Sequence, residues 1–272
     1  MKLGIVGKGG TGKTTLSGLI CQSLVARGRR VIAIDTDSNP NLALSLGLSE
    51  EVANSAPVVP RAMVVGSGNG LSPGQMVAEY GLPTPAGVTL LHAMRVDQPG
   101  AGCTCSSHAT VRSLLGAAID EEADVTLVDM EAGLEHLSRS GGTLAYADVA
   151  LMVMEPTRKS IMTAARTVPL AAELGIPRVY GVGNKSRVPA DDELFRTVSA
   201  ESGVTLAGIV PYDPALSEAD RAGVPVAAGE APGVRAVVEA IVDLLESPDE
   251  EREALLKERL RVDLRLAELT GG

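Results

Sequence analysis

One eight-residue stretch near the start of the chain, Gly7-Lys8-Gly9-Gly10-Thr11-Gly12-Lys13-Thr14, constrains the fold more than any other. An aliphatic run at 3–6 precedes it, and apolar residues at helical spacing follow it (Leu16, Leu19, Ile20, Leu24). Strand, glycine-rich loop and helix in that order form a P-loop. The glycines let backbone N–H groups turn inward around a phosphate, and the helix N-terminus adds partial positive charge. Lys13 is placed to reach the β- and γ-phosphates, and the Thr14 hydroxyl to hold Mg²⁺. A second lysine, Lys8, stands where an ordinary P-loop tolerates almost any residue.

The rest of the chain continues the strand–helix rhythm that this loop begins. Aliphatic runs predict strands at 2–6, 30–34, 88–91, 125–128, 149–154, 178–183 and 206–210. Helical patterns intervene at 13–27, 109–122, 159–174, 191–202 and 232–245. Such alternation predicts βαβ units and an α/β fold: a single-domain P-loop NTPase with a mostly parallel, twisted sheet and helices on both faces. Aromatic residues are only 2% of the 272, with no Trp, so the core must be aliphatic. A sheet buried on both faces suits that composition. The Pro-, Gly- and Ser-rich segment 52–87 breaks the rhythm and reads as a surface loop with a minor strand near 63–65 and a helix near 75–80. Residues 1–247 are expected to form the ATPase domain. Residues 248–272, with Leu255, Leu256, Leu260, Leu264 and Leu269 among charges of both signs, are expected to form a helical tail packed on it.

Charge and cysteine content narrow the partners. A net charge of −10 argues against a surface that holds DNA or RNA, because phosphate binding needs clustered basic residues. The local clusters Arg27, Arg29, Arg30 and Arg158, Lys159 read as solvated helix ends or nucleotide neighbours. The mixed-sign tail argues against a membrane anchor, and no apolar run is long enough to span a bilayer. Three cysteines and a first strand that begins almost at Met1 fit a cytoplasmic location.

Carboxylates fall where a nucleotide enzyme needs them. Asp35 and Asp37 follow the second predicted strand, and Asp129 ends the fourth, as a Walker B residue does. Gly133 allows close approach of backbone to a γ-phosphate. Asn184 ends a later strand, where its amide is available to a purine edge or simply to a turn.

With its early lysine, the loop resembles the deviant Walker A of the MinD/ParA/nitrogenase-iron-protein group. That resemblance implies an ATPase whose Lys8 crosses a two-fold interface to the partner's nucleotide, while Lys13 acts in its own subunit. It makes Asp37 the catalytic switch I aspartate and starts switch II at Asp129. The expected catalytic set is Lys8, Lys13 and Asp37. The expected ATP/ADP contacts are Gly7, Gly9, Gly10, Thr11, Gly12, Lys13, Thr14, Thr15, Asn184, Pro211 and Asp213. Mg²⁺ falls to Thr14 directly and to Asp35 and Asp129 through water. A lysine acting in trans couples nucleotide binding to dimer closure and suggests a slow, switch-type ATPase.

Gly102-Cys103-Thr104-Cys105 is the second unusual feature. Two thiolates so close converge on one soft metal, and a symmetric dimer brings together four; the alternative is a pair of buried or reactive thiols. Cys21 lies inside the first helical pattern and reads as core. His108 reads as a helix-start or surface residue. The Cys-x-Cys pair, the run Asp129-Met130-Glu131-Ala132-Gly133-Leu134-Glu135-His136-Leu137 and Glu155-Pro156-Thr157 with Ser160 resemble the CooC-type ATPases of that group. Ser38 departs from the proline usual there. The resemblance implies Ni²⁺ or Zn²⁺ held across a homodimer by Cys103 and Cys105, and a metalloenzyme client, carbon monoxide dehydrogenase or one like it. The competing readings are a ParA/MinD-like positioning ATPase acting on DNA or membrane, and an iron–sulfur reductase component.

Overall fold

The computed structural model describes residues 1–37, 41–60, 71–93, 105–116, 122–130 and 143–248, with backbone only for 105–109. Its strands are β1 (Lys2–Gly7), β2 (Val31–Asp35), β3 (Leu82–Pro83), β4 (Thr89–His92), β5 (Val125–Asp129), β6 (Val149–Met154), β7 (Arg178–Ser186) and β8 (Leu206–Pro211). They form one sheet in the order β3-β4-β2-β5-β1-β6-β7-β8. Every pairing is parallel except the short edge strand β3 against β4. The single α/β domain and mostly parallel sheet expected from the alternation are therefore observed.

Period-two alternation explains why the strands read as unbroken aliphatic runs. In β6, Val149, Leu151 and Val153 enter one core while Ala150, Met152 and Met154 enter the other. In β2, Val31 and Ala33 point one way, and Ile32 and Ile34 the other. The first core lies under α1 (Lys13–Ala26) and the C-terminal α9 (Pro232–Glu246), through Leu16, Ile20 and Leu24 against Val238, Ile241 and Leu245. The second lies under α6 (Arg158–Glu173) and α7 (Pro189–Glu201), and there the chain's one Phe, Phe195, covers Gly183. Burying each such side chain contributes about 1.5–3 kcal/mol.

Five further helices complete the described fold: α2 (Asn41–Ser45), α3 (Glu50–Ser55), α4 (Pro73–Tyr80), α5 (Cys105–Gly116) and α8 (Pro214–Ala222). Helical periodicity did not reveal α2, α3 or α8, because helices of five to nine residues hold too few apolar positions to show a period. Within the 52–87 segment the helix expected near 75–80 is observed as α4, and the edge strand β3 is regular structure that was not expected. Ser72 caps α4 in a reciprocal capping box with Gln75, and β3 adds an edge to the sheet. Residues 63–65 and 249–272, where a minor strand and the tail were expected, lie outside the described residues.

The cluster Arg27, Arg29 and Arg30 is tied into the fold. Arg27 meets Glu239 at 2.5 Å, Asp243 at 2.7 Å and Glu246 at 3.2 Å, and Arg29 also holds Glu246. They clamp the end of α1 to α9, while Arg30 pairs with Asp124. Among the described residues, no helix is long and apolar enough to cross a membrane.

Candidate functional site

β1 occupies the middle of the sheet between β5 and β6, so its C-terminal end opens onto a crevice between neighbouring strand ends, where open α/β sheets bind ligands. Three elements meet there. The P-loop runs from β1 into α1, and Gly12 caps that helix with φ +92. β2 delivers Asp35 and β5 delivers Asp129, and these two are register partners in the sheet.

A cleft of about 560 Å³ lies over the loop, within the range of small-molecule sites. Gly9, Gly10, Gly12, Lys13, Thr14, Thr15, Asp37, Asn184, Pro211 and Asp213 line it, which brings together most of the residues expected at a nucleotide site. Gly7 and Thr11 stand behind it and shape the loop. A Cβ on Gly7 would lie 2.5 Å from the Val153 carbonyl oxygen, and the buried Thr11 hydroxyl donates to the Lys8 carbonyl at 2.9 Å. The Lys13 ammonium, almost fully buried, donates to that same carbonyl at 3.2 Å. Lys8 itself is exposed.

The two strand-end carboxylates share a poorly solvated place. Burial, then the neighbouring Asp129 charge, pushes Asp35 well above the usual carboxylate range, and N–H donation from Asp37 (2.9 Å) and Leu42 (3.4 Å) draws it back in part. Burial likewise raises Asp129, to about 6, against the pull of the Thr14 hydroxyl, the Lys13 ammonium and Ser17. Oδ1 of Asp129 and Oγ of Ser17 are nevertheless buried without a partner of hydrogen-bond geometry, so that pull is one of proximity. An acceptor-only oxygen, a threonine hydroxyl and a second buried carboxylate suit a hydrated divalent cation, so these residues fit Mg²⁺.

Two expected contacts carry additional duties. Asn184 lines the cleft, but its Nδ2 donates to the Thr11 carbonyl at 2.7 Å and so braces the loop. Asp213 lines the cleft and also caps α8, accepting from the Ala215 N–H at 2.9 Å. Sequence reasoning missed Tyr212, Asn41, Asp220 and Lys185, all on the cleft wall. Lys185 donates to the Gly10 carbonyl across 175 positions of sequence, a contact no local spacing announces. Cys103 lies outside the described residues, and of Cys105 only the backbone, at the start of α5, is described. Among the described residues, no cluster of three or more His, Cys, Asp or Glu could hold a metal. Cys21 is buried core, its thiol pushed up by burial.

Residues 5–226 match the CobQ/CobB/MinD/ParA nucleotide binding domain. The chain belongs to that family of P-loop ATPases. The carbon monoxide dehydrogenase accessory protein CooC of Rhodospirillum rubrum is 33% identical over 240 residues, 82% of this chain and 88% of that one. This similarity makes the chain a CooC-type member of the MinD/ParA group. An uncharacterized ATP-binding protein of Methanocaldococcus jannaschii is also 33% identical, over 83% of this chain and 91% of its own. Among solved structures, the septum site-determining protein MinD of Pyrococcus horikoshii, complexed with Mg-ADP, superposes with a TM-score of 0.70 at 20% identity. It covers 90% of this chain and 96% of that one. The sheet and P-loop described above are thus the MinD/ParA fold.

Proposed function

We propose that this MinD/ParA ATPase is a dimerising maturation factor that assists nickel insertion into carbon monoxide dehydrogenase or a similar metalloenzyme. One observation carries the reading: similarity to a carbon monoxide dehydrogenase accessory protein along most of the chain, joined to the Cys103-Thr104-Cys105 pair.

In this reading ATP lies along the cleft with its phosphates on Gly9–Thr15 and its base toward Asn184, Pro211 and Asp213. Lys13 reaches the β- and γ-phosphates, and Lys8 of the partner subunit completes their neutralisation, so binding energy is shared between nucleotide and dimer interface. Thr14 holds Mg²⁺ directly and Asp35 and Asp129 hold it through water, the ion offsetting charge on the phosphate oxygens. Asp37 orients the attacking water in line with the γ-phosphate. Loss of that phosphate releases the loops that begin at Asp35 and Asp129 and loosens the dimer. The cargo, Ni²⁺ or Zn²⁺, is held by Cys103 and Cys105 of both subunits, four thiolates in a tetrahedral set. The exposure of Lys8 supports this geometry, since a residue that serves a partner must project from its own loop. No nucleic acid or membrane takes part.

Metal analysis of the purified protein, with and without ATP, tests the proposal. Wild type is expected to retain about one Ni²⁺ or Zn²⁺ per two chains, and the Cys103→Ala/Cys105→Ala double variant none. Equal retention by the variant would overturn metal delivery. Iron, acid-labile sulfide and visible absorption in an anaerobic preparation would instead favour an iron–sulfur reductase component.

A further inference from the structure

We infer that Lys185, anchored by Glu155, is a positioning residue that holds the phosphate-binding loop in its anion-cradling shape. The inference rests on the cleft being a nucleotide site and adds a role no P-loop motif encodes.

A loop that turns its N–H groups toward an anion leaves carbonyl oxygens on its outer side, and each needs a donor. Here the Thr11 carbonyl takes Nδ2 of Asn184 at 2.7 Å, and the adjacent Gly10 carbonyl takes Nζ of Lys185. Consecutive residues of a regular strand point to opposite faces, so Asn184 and Lys185 could not both reach one loop from an undisturbed β7. The strand is disturbed at this place. Its register against β8 slips between Gly183 and Ser186, and Lys185 has φ +63, the left-handed region that side-chain-bearing residues seldom enter. Such a slip re-aims side chains. Oδ1 of Asn184 accepts the Lys185 N–H at 2.9 Å and fixes the turn.

Glu155 completes the device. Its Oε1 lies 2.9 Å from the Lys185 ammonium, and its own N–H is held by the Ser160 hydroxyl at 3.0 Å. The Glu155 carboxylate follows β6, the strand between β1 and β7, so the ammonium is held from one side and the loop from the other. Backbone strain concentrated where one side chain touches the loop is the pattern expected of a site that over-determines local geometry. Because Lys185 is about 40% exposed, its charge is partly screened, and its effect comes chiefly from placing a donor.

The test measures ATP and ADP affinity and the split between KM and kcat on the full chain for Lys185→Met, Lys185→Arg and Glu155→Gln. Lys185→Met should weaken ATP and ADP alike, about tenfold, because the braced backbone cradles phosphates common to both. The loss should appear in KM more than in kcat. Lys185→Arg, which keeps a cationic donor, should recover most of it, and Glu155→Gln should fall between. Lys185→Gly accommodates φ +63 while removing the ammonium, and it carries the same expectation should the Met variant fold poorly. Wild-type affinity in both Lys185→Met and Lys185→Gly, or an Arg variant as weak as Met, would overturn the inference. A wild-type protein that bound neither nucleotide would overturn the nucleotide reading of the cleft itself.

Discussion

Asp129 is a carboxylate kept where a carboxylate is unfavourable, and replacing it by Asn tests why. Its proton affinity rises from an ordinary 3.8 to about 6, with burial as the largest cause. At 1.36 kcal/mol per tenfold change in proton binding, that displacement costs the nucleotide-free fold about 3 kcal/mol at neutral pH. The sign follows from linkage. A folded-state pKa above the unfolded value means that the folded protein holds the proton more tightly, so stability falls as pH climbs from about 4 through 6 and stays reduced above. Asn has nearly the same shape and no charge, and it also removes the repulsion that Asp129 exerts on its register partner Asp35. Asp129→Asn should therefore be more stable than wild type in EDTA at pH 7.5, by about 3 kcal/mol or roughly 6–12 °C in Tm for a chain of this size. Below pH 4 the two proteins should converge. The same variant should lose Mg²⁺-dependent hydrolysis, the trade expected of a site built for function. Thermal unfolding followed by far-UV circular dichroism at intervals from pH 4 to 8 is the assay. Equal Tm at pH 7.5, or a gap that does not change with pH, would refute the account of Asp129 as a strained buried charge.

The loop supports two further predictions. Lys13→Ala should abolish nucleotide binding, whereas Lys8→Ala should retain much of it and lose ATP-dependent dimerisation, read by sedimentation with and without ATP; a Lys8→Ala protein that dimerises and hydrolyses normally removes the trans-lysine role. Gly12→Ala should cost about 1–3 kcal/mol and nucleotide affinity, because φ +92 is strained for Ala and its Cβ meets Nδ2 of Asn184. Gly10→Ala, with φ +81 but open space around the Cβ, should cost only about 1–2 kcal/mol of strain, a contrast that urea denaturation resolves.

Legibility from sequence followed element length and contact order. β1 and β6 were plain as unbroken aliphatic runs, and α9 because several turns repeat one period. α2, α3 and α8 were not, being too short to show a period, and they matter because Asn41, Leu216 and Asp220 from α2 and α8 wall the cleft. Asp35 and Asp129 were readable as strand-end carboxylates, but their adjacency depends on β2 and β5 pairing in register. Asn184 and Asp213, expected as nucleotide contacts, both line the cleft and carry further duties. The brace to Thr11 and the cap on α8 are contacts made by folding.

The sequence alone determined that this chain builds a strand–loop–helix phosphate site and carries a spare lysine and a Cys-x-Cys pair, because those chemistries are written in a few contiguous residues. Its aliphatic runs, alternating with helical patterns, likewise pointed to a parallel sheet buried on both faces. Tertiary structure decided which carboxylates are buried side by side, and so raised Asp35 and Asp129. It also decided which lysine steadies the loop from outside, Lys185 rather than any residue of the motif. The physical reason is the same in both cases. Desolvation and long-range hydrogen bonds belong to the packed arrangement of distant segments, and no local pattern records them.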